Sequence, residues 1–492
     1  MGKKAYLTID VGSSSIRVSL FDNSLEFLLA KSKKILASPS IDVNLYFNEI
    51  RGLIRQVMEK TDYEICAVGA SSLVGWVALS QDGTPLAPAL TWMDQKKEEQ
   101  EEFSRSFDPN EFYERNGRKL SPELGGLKLR HFKNADPALY SKISIFFTIK
   151  DFINYRLTGN ACIDYTSACY TMLLNVREMD WDKRLIDALG VDGSKLPRLK
   201  ASWEAAGSLT KEMAEELGLP EGIPVAVSGP DGSVGVLGAG GVKSGVAVSV
   251  MGTTDVTFAV SDRWAVDPEN RVMTNPHVLP GLWLVGGSLG LSGGTLDWMS
   301  NALLEGRHSL KELDDMSSEV APGAEGVLFI PSLTGERTPF WNANVRGTVT
   351  GLTPSHGPRH LFRALLEANG YTIRNVMEII ENAGIPVCRI ISIGGGARSD
   401  LWMQIKSSIN GKTVVVPRIL EATTRGCVIL AALAAGEQFS KEQLENPVDR
   451  IFEPRLPDKE QYDALYPEYL SLMKLACQFY DLVQGNKADS KI

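Results

Sequence analysis

Two aspartates stand where they could take part in phosphate chemistry. The first, Asp10, ends an apolar, strand-forming segment and precedes a turn that contains Gly12, Ser13 and Ser14. Small residues let backbone N–H groups approach phosphate oxygens, and a nearby carboxylate could organise Mg²⁺ through water. Arg17 could reach a phosphate. A plain hairpin in which Asp10 starts the turn explains the same residues.

The second aspartate is Asp231, which follows a predicted strand over Ile223–Val227 in the string SGPDGSVGVLGAG. The small and apolar residues after it predict a short helix over Ser233–Leu237. At such a position an aspartate can cap the helix N-terminus. It can equally act as a general base toward a substrate hydroxyl, and the residues alone leave both roles open.

A second hairpin with a small-residue turn occurs far from the first. Its predicted strands are Val246–Met251 and Val256–Val260. Its turn consists of Gly252, Thr253 and Thr254. The neighbouring Asp255 adds an acid, which would repel phosphates unless it points away or touches a metal.

Two similar hairpins in one chain indicate an internal duplication in which each hairpin opens one domain. We therefore expect two related α/β domains, over residues 1–243 and 244–492. The length of 492 residues agrees with more than one core. Because the chain opens with antiparallel strands, the βαβ unit of a nicotinamide dehydrogenase is not predicted.

A glycine-rich loop follows the predicted strand Arg389–Ile393, in the string IGGGARSDLW. Glycines let a flat ring or a phosphate lie against the backbone. The candidate residues are Gly394, Gly395, Gly396 and Ala397. Elsewhere, the pattern predicts a helix over Tyr140–Leu157 and a loop over Gly159–Leu174.

The bulk composition is that of an ordinary globular protein, with 43% hydrophobic and 23% charged residues. A net charge of −9 gives no support to a nucleic-acid groove. The six cysteines show no CxxC pair, and we interpret them as buried free thiols of a cytoplasmic protein. No signal peptide is predicted, because Asp10 interrupts the apolar run behind Lys3 and Lys4. No membrane segment is predicted, because glycines and Pro280 interrupt the uncharged stretch Val278–Leu296. The sequence leaves homodimer formation open.

The segment Gly347–Glu367, GTVTGLTPSHGPRHLFRALLE, resembles the second signature of the FGGY carbohydrate kinases. The preceding GERTP string, which begins at Gly335, is similar to that of the xylulokinase branch. The start at Asp10 also resembles the family's opening motif. The resemblance implies an actin-like ATPase (ribonuclease H-like) fold, in which two related α/β domains hold Mg²⁺ and ATP between two phosphate-binding hairpins.

The same resemblance implies a role for each candidate residue. Asp231 would be the general base, and Asp10 would organise Mg²⁺. Residues of both hairpins would bind phosphate, and the glycine-rich loop would contact adenosine. The implied phosphate- and adenosine-binding residues are Gly12, Ser13, Ser14, Arg17, Gly252, Thr253, Thr254, Gly394, Gly395, Gly396 and Ala397.

The sugar-binding segment departs from the family pattern. Where xylulokinases have a GQMHG-like string, this chain has SSLVGW, from Ser71 to Trp76. Polyol recognition needs paired hydrogen bonds, so the loss of those polar groups leaves the substrate in doubt. A downstream W-x-D motif is present, and either tryptophan could stack on a sugar or belong to the core. The candidate substrate residues are Ser72, Leu73, Trp76, Trp92, Asp94 and Asp231.

The resemblance implies an ATP-dependent kinase for a small sugar or polyol, with a pentulose such as xylulose as the first candidate. The alternatives are autoinducer-2, a glycerol- or erythritol-type polyol, and ribulose. A non-catalytic sugar-sensing protein of the same fold would be expected to lack Asp10 or Asp231, and both are present.

Overall fold

The computed structural model describes residues 3–36 and 38–489. Its strands are β1 (Lys4–Val11), β2 (Ser15–Asp22), β3 (Phe27–Lys34), β4 (Ser40–Ile41), β5 (Glu64–Ser72), β6 (Gly75–Leu79), β7 (Ala89–Thr91), β8 (Ile145–Thr148), β9 (Cys162–Asp164), β10 (Leu174–Asn175), β11 (Asp180–Trp181), β12 (Arg198–Lys200), β13 (Ala205–Ser208), β14 (Pro224–Ala226), β15 (Val246–Met251), β16 (Thr254–Ser261), β17 (Met273–Pro276), β18 (Trp283–Leu291), β19 (Leu328–Ile330), β20 (Thr348–Thr350), β21 (Arg389–Gly394), β22 (Thr413–Pro417) and β23 (Val448–Phe452).

The helices are α1 (Val43–Met58), α2 (Lys97–Ser106), α3 (Pro109–Asn116), α4 (Gly125–Ala135), α5 (Pro137–Lys142), α6 (Ile149–Thr158), α7 (Tyr165–Cys169), α8 (Lys183–Leu189), α9 (Lys211–Leu217), α10 (Asp231–Ala239), α11 (Gly293–Trp298), α12 (Leu310–Ser317), α13 (Pro358–Asn382), α14 (Asp400–Asn410), α15 (Ala422–Ala434), α16 (Lys441–Leu444) and α17 (Leu456–Asp489). Short 3₁₀-helices lie at Gly193–Lys195, Ala324–Gly326 and Gly395–Arg398, and a short π-helix lies at Met299–Leu303.

The chain forms two compact units. The first contains Met1–Val242, Thr274–Leu284 and Glu421–Glu445, and the second contains the remaining segments, Lys243–Met273, Val285–Leu420 and Asn446–Ile492. The chain thus passes between the units several times. The functional domain boundary at 243/244 stays a prediction.

The first unit is built on a six-stranded sheet with the order β13-β14-β5-β1-β2-β3. Strand β1 pairs antiparallel with β2 and parallel with β5, and β5 pairs parallel with β14. The buried faces of β1, β2 and β5 pack with α1 and α6 into one hydrophobic core. A second sheet in this unit has the order β4-β7-β6-β8.

The main sheet of the second unit has seven strands in the order β17-β18-β16-β15-β21-β22-β23. Strand β15 pairs antiparallel with β16 and parallel with β21, which repeats the arrangement of β1 with β2 and β5. Helices α13, α14 and α17 contribute buried residues to the hydrophobic core of this unit. The repeated strand arrangement agrees with the predicted internal duplication.

The helix predicted over Tyr140–Leu157 is wrong, because β8 separates α5 from α6. The residues of β8, IFFT, are β-branched or aromatic, and such residues favour a buried strand. Strand β8 pairs antiparallel with β6, and Thr148 caps α6 with a capping box. The loop predicted over Gly159–Leu174 also contains β9 and α7.

All six cysteines are free thiols; Cys388 is exposed, so the prediction that every one is buried is wrong. In the part of the chain that the structure describes, none of the helices combines the length and apolar character needed to cross a bilayer.

Helices α10 and α15 of the first unit approach each other through small residues. A Cβ atom built on Gly238 would lie 1.7 Å from the backbone oxygen of Ala422, and one on Gly426 would lie 2.1 Å from that of Val234. Because these neighbours are backbone atoms, a side chain at either glycine requires the helices to separate. The contact therefore fixes α10, which begins at Asp231.

We expect Gly238→Ala to lower the free energy of unfolding by about 1–3 kcal/mol, because the added methyl group overpacks this contact. The matched control is Gly52→Ala in α1, where an added Cβ meets no atom within 4 Å. That change should raise the free energy of unfolding by about 0.5–1 kcal/mol, as alanine replaces an unconstrained helical glycine. Chemical denaturation of both variants measures the difference, and equal stabilities would contradict the packing account.

Candidate functional site

Three neighbouring strands of the first unit bring the predicted site residues together. In the parallel pair of β1 and β5, Asp10 lies opposite Ser71, and a further bridge joins Ser72 to Pro230 beyond β14. Asp231 follows Pro230 directly. Ligands of open α/β sheets bind at the carboxyl ends of such strands. The structure therefore places Asp10, the SSLVGW segment and Asp231 at one edge of the sheet.

The Asp10 carboxyl lies in a poorly solvated, negatively charged setting. Its Oδ1 accepts a hydrogen bond of 3.3 Å from the Ser71 hydroxyl. Burial raises the pKa of Asp10 to about 7, and the negative charge of Asp231 adds to this rise, whereas the Arg17 guanidinium opposes it. Two carboxyls that repel each other in a partly buried site would be stabilised by a nearby cation or hydrogen-bond donor.

Asp231 lies in the first turn of α10 and is not the residue that caps the helix. The N-cap residue is Pro230, and the Oδ1 of Asp231 accepts a 2.7 Å hydrogen bond from the N–H of Gly232. Burial raises the pKa of Asp231 to about 6, and the Gly232 N–H opposes that rise. The capping alternative thus loses its geometric basis, whereas the general-base role stays a prediction.

The first hairpin turn exposes the side chains of Ser13 and Ser14. The Gly12 N–H is bonded to the Ser15 carbonyl at 2.9 Å, which closes the turn. Arg17 forms an ion pair with Glu421, at the start of α15. The guanidinium would have to leave or share this partner to contact a phosphate.

A small cavity of about 10 Å³ lies beside the predicted sugar-binding segment. It is lined by Ser72, Leu73, Val74, Thr148, Lys150, Ser167, Tyr170 and Pro230. The Trp76 side chain does not line it: this ring is 1% exposed and stacks on Phe146 with centroids 5.5 Å apart. Its position favours the core interpretation of Trp76.

The W-x-D motif is tied to the same segment through the backbone. The N–H of Trp92 donates to the Val74 carbonyl at 3.0 Å, and the Trp92 ring is half-buried. The carboxylate of Asp94 lies 3.0 Å from the ammonium of Lys96. Lys128 donates to the Asp94 backbone carbonyl at 2.7 Å. A substrate that contacts the Asp94 carboxylate would have to compete with the ammonium of Lys96.

Tyr170 and Lys150 line the cavity, and the sequence did not single them out. The Arg118 guanidinium lies 3.7 Å from the centroid of the Tyr170 ring. Burial raises the pKa of Tyr170, and the Asp231 charge adds to the rise, so the phenol lies within electrostatic reach of that aspartate. The only sequence signal was an aromatic residue among small ones, in the string SACYT, within a segment predicted as loop.

The second unit contains a much larger cavity, of about 620 Å³, which is lined by two of the three predicted nucleotide-binding elements. From the second hairpin it is lined by Gly252 and Thr253, and from the glycine-rich loop by Gly395 and Gly396. The turn of the hairpin is held by backbone bonds, because the N–H of Gly293 donates to the Gly252 carbonyl at 3.0 Å. Thr254 lies at the start of β16 and is half-buried.

The glycine-rich loop lies close against the second hairpin. Gly394 has a φ of 88°, and a Cβ there would lie 2.5 Å from the Met251 carbonyl oxygen. Ala397 is fully buried, and its carbonyl accepts a 2.8 Å hydrogen bond from Arg450. Gly394 and Ala397 therefore hold the loop, whereas Gly395 and Gly396 face the cavity.

The sequence did not predict the other residues of the second-unit cavity, most of which come from helices that are far apart in the chain. The cavity is also lined by Leu296, Asp297, Leu310, Lys311, Asp314, Phe362, Leu366, Arg398, Ser399 and Trp402. The Ser399 hydroxyl donates to Asp314 at 2.6 Å. Apolar walls with a few placed polar groups are what binding of a flat heterocycle requires.

Comparison with known proteins decides the family. Residues 5–238 match the N-terminal domain of the FGGY family of carbohydrate kinases, and residues 247–435 match its C-terminal domain. The chain belongs to this family. Its members transfer a phosphoryl group from ATP to a carbohydrate hydroxyl, so this protein is a carbohydrate kinase.

The similar proteins do not all have the same named substrate. A xylulose kinase of Staphylococcus epidermidis is 27% identical, over 96% of this chain and 97% of the relative. A gluconokinase of Bacillus subtilis is also 27% identical, over 95% of each protein. Among solved structures, a ligand-bound xylulose kinase from Lactobacillus acidophilus has a TM-score of 0.92 at 23% identity. That match covers 98% of this chain and all of the other.

The family signature of this kinase has a structural role in the second unit. Its final residue, Glu367, accepts hydrogen bonds from the Gly323 N–H at 3.0 Å, from Arg363 at 2.7 Å and from Tyr462 at 2.9 Å. His360 accepts a 3.0 Å bond from the Gly357 N–H at the start of α13. The signature segment Gly347–Glu367 thus holds α13 in place. Of its residues, Phe362 and Leu366 line the large cavity, and the others do not.

The carboxylates of the kinase suit a Mg²⁺ ion that keeps part of its water shell. Within residues 3–36 and 38–489, no group of three or more His, Cys, Asp or Glu side chains could hold a metal. Mg²⁺ usually takes one or two carboxylates and completes its shell with water and substrate phosphates. The Asp10 carboxyl, whose pKa is raised by burial and further by the charge of Asp231, is a donor of this kind.

We expect Gly395→Val to weaken ATP binding by this kinase about 10-fold or more while the fold stays intact. A Cβ at Gly395 meets no protein atom within 4 Å, yet the residue lines the large cavity, so the added groups occupy ligand space. The KM for ATP should rise and the thermal midpoint should stay unchanged. Gly52→Val, on an open face of α1, is the control. An unchanged KM for ATP in Gly395→Val would show that the nucleotide binds elsewhere.

Proposed function

We propose that this kinase phosphorylates a small sugar or polyol, with a pentulose such as xylulose as the first candidate, and that Asp231 is the general base. The observation that carries this proposal is the position of Asp231 at the start of α10, directly after Pro230, which bridges to Ser72 of the predicted sugar-binding segment. A pKa of about 6 leaves the carboxylate ionised at neutral pH and still basic enough to accept a proton.

In the proposed reaction, the Asp231 carboxylate accepts the proton of the substrate hydroxyl as the hydroxyl oxygen attacks the γ-phosphorus of ATP. The bond to the β–γ bridging oxygen breaks, and ADP leaves. Phosphoryl transfer needs little covalent participation by protein, so alignment and charge stabilisation supply most of the rate.

The nucleotide site is proposed from the second-unit cavity. Its apolar wall of Phe362, Leu366 and Trp402 suits the adenine ring, and the turn at Gly252 and Thr253 suits the phosphates. Asp10 is proposed to hold Mg²⁺ through water; Mg²⁺, when bound, neutralises phosphate charge. That both hairpins hold Mg-ATP between them stays a prediction from the sequence.

The choice of a pentulose rests on the xylulose kinases among the similar proteins, because membership of the family does not specify the substrate. Gluconate is the second candidate, because the gluconokinase of Bacillus subtilis is equally similar. Autoinducer-2, ribulose and glycerol- or erythritol-type polyols remain alternatives, since Leu73 and Val74 stand where polar groups are usual. A sugar-sensing protein without catalysis is disfavoured by the presence of both aspartates.

A substrate panel distinguishes these candidates. We expect kcat/KM to be highest for a pentulose when xylulose, ribulose, gluconate, glycerol, erythritol and autoinducer-2 precursors are compared at saturating Mg-ATP. Phosphorus and carbon NMR of the product identifies the phosphorylated hydroxyl. A higher kcat/KM for gluconate than for every pentulose would overturn the substrate proposal and leave the kinase assignment intact.

A further inference from the structure

An acid lies directly beneath the second hairpin turn. Asp255 faces Met251 across the β15–β16 hairpin and is fully buried. Its carboxylate accepts hydrogen bonds from the hydroxyls of Ser249 at 3.1 Å and Thr257 at 2.9 Å, and from the amide of Asn369 at 3.3 Å. The acid therefore points away from the cavity side of the turn. Gly252 and Thr253 line the cavity, whereas Asp255 does not.

A lysine is buried at the same place. Lys406, on α14, is fully buried, and its ammonium donates to the Ser249 hydroxyl at 2.8 Å and to the Ser392 hydroxyl at 3.3 Å. It also lies 3.0 Å from the sulfur of Met251. The Ser249 hydroxyl can accept from Lys406 and donate to Asp255, so one serine joins the two charges.

The opposite charges make this network nearly neutral. Burial lowers the pKa of Lys406 to about 8, and the charge of Asp255 opposes the fall. An isolated carboxylate beneath the turn would repel phosphates, and an isolated ammonium would be costly to bury. The ammonium of Lys406 thus offsets the negative charge of Asp255, and the carboxylate of Asp255 lowers the cost of burying that ammonium.

The network also connects the elements that line the large cavity. Ser249 and Met251 belong to β15 and precede the turn, and Ser392 belongs to β21, which runs into the glycine-rich loop. Lys406 lies on α14, the helix that follows that loop. One buried cluster therefore joins the strand before the second hairpin turn to the strand and the helix on either side of the glycine-rich loop.

We propose that Lys406 is a positioning residue that fixes the second hairpin and compensates the Asp255 carboxylate beneath it, so that the turn binds the phosphates of ATP. This inference rests on the proposed nucleotide site of the second unit. Removing Lys406 leaves the Asp255 carboxylate uncompensated under the turn. Removing the charge of Asp255 leaves a cation there, which does not repel phosphates.

The test compares ligands with and without phosphates. We expect Lys406→Met to weaken binding of ATP about 10-fold, within the range of coupling between neighbouring charges, and to leave binding of adenosine unchanged. The double variant Asp255→Asn/Lys406→Met should regain most of the lost ATP affinity, because the uncompensated carboxylate is gone. Asp255→Asn alone should bind ATP as tightly as the unchanged protein or more tightly. Lys459→Met, on α17, is the control.

Calorimetry with ATP, ADP and adenosine measures these affinities without catalysis. Equal losses for ATP and adenosine in Lys406→Met, or no recovery in the double variant, would overturn the positioning role. Should Lys406→Met not fold, the ATP affinity of Asp255→Asn decides. Weaker ATP binding by this variant than by the unchanged protein contradicts the charge argument. Failure of the unchanged protein to bind ATP would instead refute the proposed nucleotide site.

Discussion

Asp231→Asn is expected to keep the fold and the ATP affinity of the kinase while kcat falls about 10²–10⁴-fold, the range for loss of a general base. The carboxamide has the same shape as the carboxylate and cannot accept the proton of an attacking hydroxyl. Asn can also occupy the first turn of α10, where the Gly232 N–H donates to the side-chain oxygen. Steady-state kinetics with the preferred sugar, and calorimetry with ATP, measure the two quantities separately.

The matched control for this variant is Asp108→Asn. Asp108 caps α3 and accepts a hydrogen bond from the N–H of Asn110, a role that asparagine also fulfils. Its turnover should equal that of the unchanged protein. Near-normal turnover by Asp231→Asn, with sugar and ATP binding intact, would reject the catalytic role.

Asp10→Asn is expected to lower kcat about 10–100-fold and to raise the Mg²⁺ concentration needed for half-maximal rate, the range for loss of an outer-shell metal partner. Asparagine keeps an oxygen near the Ser71 hydroxyl but carries no charge. Mg²⁺ titrations at fixed ATP and sugar measure the shift. The control is Asp22→Asn, at the far end of β2, whose carboxylate accepts from the Ser24 and Glu26 N–H groups. A loss of kcat with an unchanged Mg²⁺ requirement would show that Asp10 acts in another way.

Short-range patterns in the sequence predicted much of the fold. Two strand-turn-strand segments with small-residue turns predicted the hairpins β1–β2 and β15–β16, and the structure contains both. The helix after Asp231 is also present, although it starts at Asp231 and extends to Ala239. These predictions depended on neighbours in sequence, where alternation and turn composition carry the information.

What the sequence could not give depended on distant partners. The sequence predicts a helix where strand β8 lies, because a short apolar run does not reveal the strand with which it pairs. The unfavourable acid at Asp255 is explained only by Lys406, some 150 positions later, through Ser249. Tyr170 was missed for the same reason, since only the folded chain brings it within electrostatic reach of Asp231.

The roles of residues were harder to predict than their positions. Trp76 was a candidate for stacking on a sugar, yet it stacks on Phe146 in the core. Among the predicted adenosine contacts, Gly395 and Gly396 line the large cavity, whereas Gly394 and Ala397 hold the loop. Side-chain direction and burial make these distinctions, and neither can be read from a motif.

We propose that this chain transfers the γ-phosphoryl group of ATP to a sugar hydroxyl with Asp231 as the base. The most direct test measures ADP formation by the purified protein with and without each sugar, polyol and sugar acid of a broad panel. We predict that at least one compound stimulates ADP formation and yields its phosphate ester in equal amount, and that Asp231→Asn abolishes most of this stimulation. No stimulation by any compound, or full stimulation in Asp231→Asn, would contradict the account.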